Sequence, residues 1–434
     1  MPFRSPPGAS SGLRFHGDGE GTYDVVVIGA GPAGSVAAKV LAEGGAKVAL
    51  VDKARFPRDK ACGDVVGPRA VSLLSDRYGS FAAWTKPVGD MDVVGPGGGR
   101  VRLPARPGRD FPAGGWAVPR TILDKLLYDE AVGSGAEPLH GRFGGMVSAG
   151  GLQVVNLDGG RRLSAEFVIG ADGATSAVAS SNGMVDPARV LWGFATRCYL
   201  EQEVPVPLIS FWEEAPGRSF PGYGWLFPGP DGYANAGLGI GTGHSREGAS
   251  RAVHRLDSFL DHLRRAGHVG AAAPARRMGG WLKMGMVGTR PARGRILLVG
   301  DAAGLVNPLQ GEGIAQAVGS AVAASEAILS DTGNAAGTYM AWLRKEAAFQ
   351  GSTAVLHQAL LPHPRVVSAL SRVLTWNALG SRLGEPWGLY WNDLTGGAHP
   401  GPARTMAATA GTAVRVLTST SAARRSLAKE LRWA

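Results

Sequence analysis

Three features of this 434-residue chain predict an α/β fold in which a parallel sheet is interrupted by a separate antiparallel sheet and followed by helices. The first is residues 22–52, TYDVVVIGAGPAGSVAAKVLAEGGAKVALVD: an apolar strand, a glycine-rich turn, a small-residue helix and a second strand. The second is the return of strand-then-turn at AEFVIGADGATS (165–176) and GRILLVGDAAGLVNP (294–308). The third is β-type alternation through 190–285, in GFATRCYLE, PLISFWEE, GYGWLFPG and YANAGLGIG.

Each element follows in order. Residues 1–21 are rich in Pro, Gly and Ser and are expected to be disordered. Val25–Ile28 is an unbroken apolar run, as a central parallel strand buried on both faces requires. The helix after it stops at Gly44-Gly45. Residues 117–135 predict a helix with Leu123, Leu126 and Leu127 on one face, and another helix is expected from Gly311 to about Leu329. Residues 336–434 are helical in pattern, broken at LLPHP and GEPWG. The expected organisation is a nucleotide-binding domain from 22–75, 105–185 and 286–335, a substrate-binding β-sheet domain from 76–104 and 186–285, and a helical C-terminal region, 336–434, with a basic tail.

Hydrophobic residues make up 44% of the chain and charged ones 18%, a globular balance. Two cysteines, Cys62 and Cys198, are too few for a disulfide framework or a metal cluster, so no metal site is expected. The start lacks an apolar signal region and no run reaches membrane-spanning length, which predicts a cytoplasmic protein. Net charge is +10, and half of the excess lies beyond Leu394, where six cations face Glu430 alone. A nucleic-acid groove would interleave basic and aromatic residues on one folded surface, so no nucleic acid is expected. Peripheral contact with the inner face of a membrane suits the tail better: Trp376, Trp387, Tyr390, Trp391 and Trp433 accompany its arginines, and Val414, Leu417, Leu427 and Leu431 form an imperfect amphipathic stripe. The alternative is a solvated helical tail.

Gly29-Ala30-Gly31-Pro32-Ala33-Gly34 matches GxGxxG between strand and helix. Gly29 allows the tight turn, Gly31 the approach of a pyrophosphate, and Gly34 close packing of helix on strand. The helix mouth offers free N–H groups to phosphate, and Asp52 closes the second strand with a carboxylate for a ribose hydroxyl. Asp172-Gly173 and Gly300-Asp301 end two later strands, where open α/β sheets bind ligands. Either alone also suits a turn with a helix cap. Together they resemble the flavoprotein family that includes p-hydroxybenzoate hydroxylase. That resemblance implies a Rossmann-type FAD-binding domain, with Asp301 on the ribitol of FAD. Gly311, Gly313 and Ile314 open the next helix; its bare N–H groups would favour a reduced, anionic flavin by roughly 0.3–2 kcal/mol.

Four further segments resemble the geranylgeranyl reductase family: FPRDKACGD at 56–64, AVPR-x-x-LD at 117–124, PGYGWLFP at 221–228, and GDAAGLVNPLQGEGI at 300–314. Within it they look most like actinobacterial members that reduce an isoprene unit of the menaquinone side chain. The resemblance implies hydride transfer from reduced flavin to a prenyl double bond. NADPH or another electron donor would act transiently, because no second fingerprint is present. It also implies Cys62 and Gly63 beside the flavin and cofactor contacts from Arg120, Ala33, Lys53 and Val147. Tyr223, Trp225 and Phe227 alternate along a strand and share one face, either a packing face or the wall of an apolar cavity. The resemblance favours the wall, with Cys62, Tyr223 and Trp225 as candidate catalytic and substrate residues. Cys198 is expected to be core. Ala179 stands where many relatives carry a basic residue, so a nicotinamide contact is not expected there.

Two rivals share parts of this pattern. A flavin monooxygenase of aromatic or polyketide substrates shares the fingerprint, Asp172-Gly173 and Gly300-Asp301, but does not predict Lys-x-Cys-Gly-Asp or Tyr-x-Trp-x-Phe-Pro. The Trp-x-Trp-x-Ile-Pro segment of halogenases is not matched by GYGWLFP. A prenyl-lipid carrier of the GDP-dissociation-inhibitor type shares the fold but has no need of FAD contacts. The head group, the double bond reduced and the oligomeric state stay open.

Overall fold

Val25, Val26 and Val27 are fully buried in the strand Thr22–Ile28, in the middle of an eight-stranded sheet. In this computed structural model, which describes residues 21–78, 85–105, 107, 112–247 and 249–376, that strand has parallel neighbours on both sides. Val48–Asp52 and then Glu137–His140 lie to one side, Arg162–Gly170 and then Ile296–Leu298 to the other. Ile28 pairs with Gly170, and Gly170 with Leu298. Three strands therefore end level, and the loops after them gather at one carboxyl edge. The fingerprint helix Pro32–Glu43 packs on helices Arg120–Gly133 and Ile314–Ser330.

The second sheet has seven strands, in the order Ala275–Met284, Leu191–Glu201, Tyr233–Gly243, Gly222–Pro228, Leu208–Ser210, Met91–Val94 and Arg100–Leu103. Only the pairing of Leu208–Ser210 with Met91–Val94 is parallel. Cys198 is fully buried in its core. The sequence reading assigned no helix within 190–285, yet Ala249–Arg265 is one, packed on this sheet. Ala252, Leu256, Phe259, Leu260 and Leu263 are buried along a single helical stripe, a period that the β-rich surroundings masked. A small third sheet joins Val65–Val66, Gly115–Ala117 and Lys86–Val88.

Helices Ala335–Leu360 and Pro364–Leu374 follow, broken at LLPHP. The N-terminal segment 1–20, GEPWG, Trp387, Tyr390, Trp391, Trp433, the stripe Val414, Leu417, Leu427 and Leu431, and the basic tail lie outside the described residues. No described helix is long and apolar enough to cross a membrane.

Candidate cofactor and substrate site

Close approach dictates the fingerprint glycines. Gly29 has φ +100°, and a Cβ there would sit 2.4 Å from the Ala171 carbonyl oxygen. A Cβ on Gly34 would sit 1.7 Å from the oxygen of Gly29. Gly31 caps the fingerprint helix without a side-chain hydrogen bond and Pro32 follows; the nearest side chain is the Arg58 guanidinium, which a Cβ on Gly31 would meet at 3.3 Å. Asp52 accepts the N–H groups of Ala30 and Ala54, each at 2.7 Å, and thereby pins the fingerprint turn. Lys53 points outward beside it. Ala33 is buried under Gly300, whose φ is +56° and whose added Cβ would meet it at 3.1 Å. Val147 stands apart: it is 59% exposed on the strand Phe143–Ala149 and does not line the cavity described below.

The two Gly-Asp loops differ. Asp172 accepts from the Ser176 hydroxyl and from the N–H groups of Ala177 (2.7 Å) and Val178 (3.1 Å), capping the short helix Ala177–Ser181. This is the cap-and-turn reading of that motif, with Gly173 at φ +83° completing the turn. Asp301 instead faces the space between loops, where its Oδ2 receives the Lys60 ammonium at 3.1 Å. Gly311 and Gly313 precede the helix Ile314–Ser330, and Gly313 caps it without a side-chain hydrogen bond. Sequence reading missed Lys283, which is buried beneath this loop and donates to the Ala302 carbonyl. Burial draws its pKa down to about 8, against the opposing pull of Asp172 and Asp301.

Between the Asp301 loop and the antiparallel sheet lies a cavity of about 370 Å³. Lys60, Cys62, Gly63, Arg120, Asp301 and Gly313 line it at one end; His357, Leu361 and Val367 also contribute. Tyr223, Trp225 and Phe227 stand side by side along one wall, with successive ring centroids 6.3 Å apart. The opposite face of their strand packs on the helix Ala249–Arg265, since a Cβ on Gly224 would strike Phe259 at 2.3 Å. The Tyr223 hydroxyl donates to the Gln310 carbonyl, tying the wall to the Asp301 loop.

The segment FPRDKACGD is anchored residue by residue. Arg58 pairs with Asp124 at 2.6 Å, and Arg120 meets the same carboxylate through two bonds of 2.7 Å. Burial alone would lower the Arg120 pKa, but Asp124 outweighs it and keeps the guanidinium charged. Asp59 receives the fully buried Arg197, which lies over the Tyr199 ring at 4.4 Å. Asp64, in the left-handed region at φ 62°, accepts from the Tyr199 hydroxyl and from Asn235 at 2.8 Å. Asn235 also donates to the Cys62 carbonyl at 2.8 Å and accepts the Trp225 indole N–H at 2.9 Å. Burial raises Asp64 to about 6, against the lowering effect of these donors. Cys62 and Gly63 are left facing the cavity. Burial pushes the Cys62 thiol up, opposed by the charge of Arg120. A Cβ on Gly63 would lie 3.0 Å from the Phe227 ring, a contact that any side chain there would have to relieve by shifting the ring. Arg197, Tyr199 and Asn235 had no assigned role in the sequence reading, and Asp64 entered it only as the acid ending Lys-x-Cys-Gly-Asp.

Two helix mouths without side-chain caps, one at the fingerprint loop and one at the cavity, fit an anionic dinucleotide. The model of the FAD binding domain family matches residues 22–339. The chain belongs to that family. FAD is its cofactor, and it is an FAD-dependent oxidoreductase of the p-hydroxybenzoate hydroxylase-like fold. It is 38% identical to the menaquinone reductase of Mycolicibacterium smegmatis over 67% of this chain and 72% of that one. It is 33% identical to digeranylgeranylglycerophospholipid reductase 2 of Methanopyrus kandleri, over 67% and 73%. Among solved structures, a geranylgeranyl bacteriochlorophyll reductase-like protein from Thermoplasma acidophilum superposes with TM-score 0.71 at 20% identity, covering 92% of this chain and 99% of that one. The halogenase CmlS does so with TM-score 0.65 at 20% identity, over 89% and 77%, a likeness of fold alone.

Proposed function

We propose that this protein saturates a carbon–carbon double bond in a prenyl chain, carried by a menaquinone or a geranylgeranyl lipid. The observation that carries this reading is the apolar cavity, walled by Tyr223, Trp225 and Phe227 and facing the Cys62-Gly63 segment. A prenyl tail offers little for polar groups to grip, and its burial contributes about 25 cal/mol per Å². The names of the relatives support the same substrate class.

When bound and reduced, FAD supplies the hydride equivalent. Residues 22–75, 105–185 and 286–335 would hold it, and 76–104 with 186–285 the substrate. Gly31 suits the approach of the pyrophosphate, with Gly29, Ala33 and Gly34 shaping the turn and packing the helix around it, and Asp52 suits a ribose. Asp301 with Lys60, Arg120, and Gly311 to Ile314 suit the flavin end. Asp172-Gly173 supports this loop cluster as a helix cap. Lys53 and Val147 are solvent-facing positions, suited at most to the nucleotide periphery. The aromatic wall orients the alkene and excludes water, which an unactivated double bond demands. Burial keeps the Cys62 thiol protonated at neutral pH, so Sγ holds a proton for the second alkene carbon. Arg120 would stabilise the thiolate left behind. NADPH or another donor would visit transiently. A lipid substrate of this kind would be met at the inner face of the membrane, by a peripheral, cytoplasmic enzyme.

The test is anaerobic. Reduced holoprotein is mixed with geranylgeranyl diphosphate or menaquinone, and the side chain is weighed by mass spectrometry. A saturated unit in either substrate supports the reading and names the head-group class. Oxygen-dependent hydroxylation of an aromatic substrate, with prenyl chains untouched, would overturn it.

A further inference from the structure

The helix Pro364–Leu374 is built with its polarity inverted. Its inward side is polar: Ser368, Ser371 and Thr375, just past its end, are 2%, 7% and 1% exposed. Ser368 donates to Glu213, and Arg372 grips the same carboxylate with two bonds of 2.9 Å. Thr375 packs against Gly95 and Gly99, where any Cβ would collide with it. The outward side is apolar: Val366, Leu370, Val373 and Trp376 are 49%, 46%, 50% and 65% exposed. Their spacing of four, three and three residues draws one continuous stripe. Isolated exposed apolar residues are ordinary, but a contiguous patch marks a contact surface.

The position of this stripe and its charge identify the partner. The same helix gives Pro364 and Val367 to the cavity wall, next to Leu360 and Leu361. The stripe thus adjoins the cavity through which a prenyl chain would enter. The helix carries no acid, Arg365 is exposed upon it, and Arg218 is exposed on the strand packed against it. Apolar residues ending in a tryptophan, flanked by cations, match the boundary between acyl chains and anionic headgroups.

We propose that Val366, Leu370, Val373 and Trp376 form a docking face that seats the cavity on a bilayer containing anionic lipid. This rests on the prenyl-lipid reading above and replaces the distal tail with a folded element as the principal contact. The bilayer would deliver the substrate, and the helix that binds it also lines the cavity that accepts it.

The test uses full-length holoprotein and phosphatidylcholine vesicles with or without phosphatidylglycerol, read by cosedimentation. Leu370→Glu with Val373→Glu is expected to lower the bound-to-free ratio at least tenfold, and Leu370→Trp to raise it. Phosphatidylglycerol should strengthen wild-type binding. Flavin content and turnover of detergent-dispersed substrate should stay unchanged in both variants. Binding that ignores both substitutions would overturn the proposal in favour of the distal tail. A wild-type dimer in sedimentation without vesicles, split by the glutamates, would overturn it in favour of a second copy of this chain. Acrylamide quenching of free protein that does not change with Trp376→Phe would mean that the stripe is already covered by the chain, and would also overturn it. Failure of every form to saturate detergent-dispersed substrate would sink the reductase reading, while the vesicle data would still decide the docking face.

Discussion

The fingerprint edge and the aromatic wall hold their ligands in opposite ways. At the fingerprint edge, backbone does most of the positioning: Gly29 and Gly34 approach neighbouring carbonyls, Asp52 pins a turn, and two helix mouths are left uncapped. At the wall, side chains do it: Asn235 joins Trp225, Asp64 and the Cys62 carbonyl, and Arg197 holds Asp59. Substitutions at the first should abolish the holoprotein. Those at the second should leave FAD in place and change reactivity or stability.

The largest effect is expected at Gly34. An Ala Cβ 1.7 Å from the Gly29 oxygen forces the turn apart, and flavin bound per protein, read by absorbance, should fall by roughly tenfold or more, about 1.4 kcal/mol at least. Full flavin content in Gly34→Ala would break the comparison at its firmest point.

Asp64 sharpens the other side. Its folded-state pKa is raised from 3.8 to about 6, so its contribution to stability is fully present below the unfolded value and is lost as pH rises through about 6. Across that window wild-type stability should decline by about 3 kcal/mol relative to Asp64→Asn, measured by urea unfolding at a series of pH values. Parallel pH curves for the two proteins would mean that Asp64 ionises freely.

Cys62→Ala should lower anaerobic turnover by about 10²-fold with flavin content unchanged, the loss expected for one positioned proton donor. An unaltered rate would remove Sγ from the chemistry. The smallest effect belongs to Trp225→Phe, which keeps the aromatic wall but loses the bond to Asn235. It should cost about 1 kcal/mol in unfolding free energy and leave flavin content intact.

The same contrast explains what could be read from the sequence. The parallel sheet, its fingerprint and the loop at Gly300-Asp301 are local signals, each written within a few consecutive residues. The clamp behind Cys62 joins Asp64 to Asn235 across 171 positions and Asp59 to Arg197 across 138. No spacing rule links residues so far apart; only the pairing of strands brings them together. Asp172 shows the converse limit. Its motif fits a cofactor contact and a helix cap equally well, and the local N–H groups of Ala177 and Val178 take the carboxylate. The missed helix at Ala249–Arg265 had a clear apolar period, hidden between strands on both sides.

The most direct measurement is anaerobic turnover of menaquinone in D2O, followed by return to H2O and air so that any quinol reverts and loses exchangeable label. The account predicts two carbon-bound deuteriums in a single isoprene unit of the side chain. Prenyl chains free of deuterium both here and in a parallel run with geranylgeranyl diphosphate, with electrons delivered only to the ring or to oxygen, would contradict it.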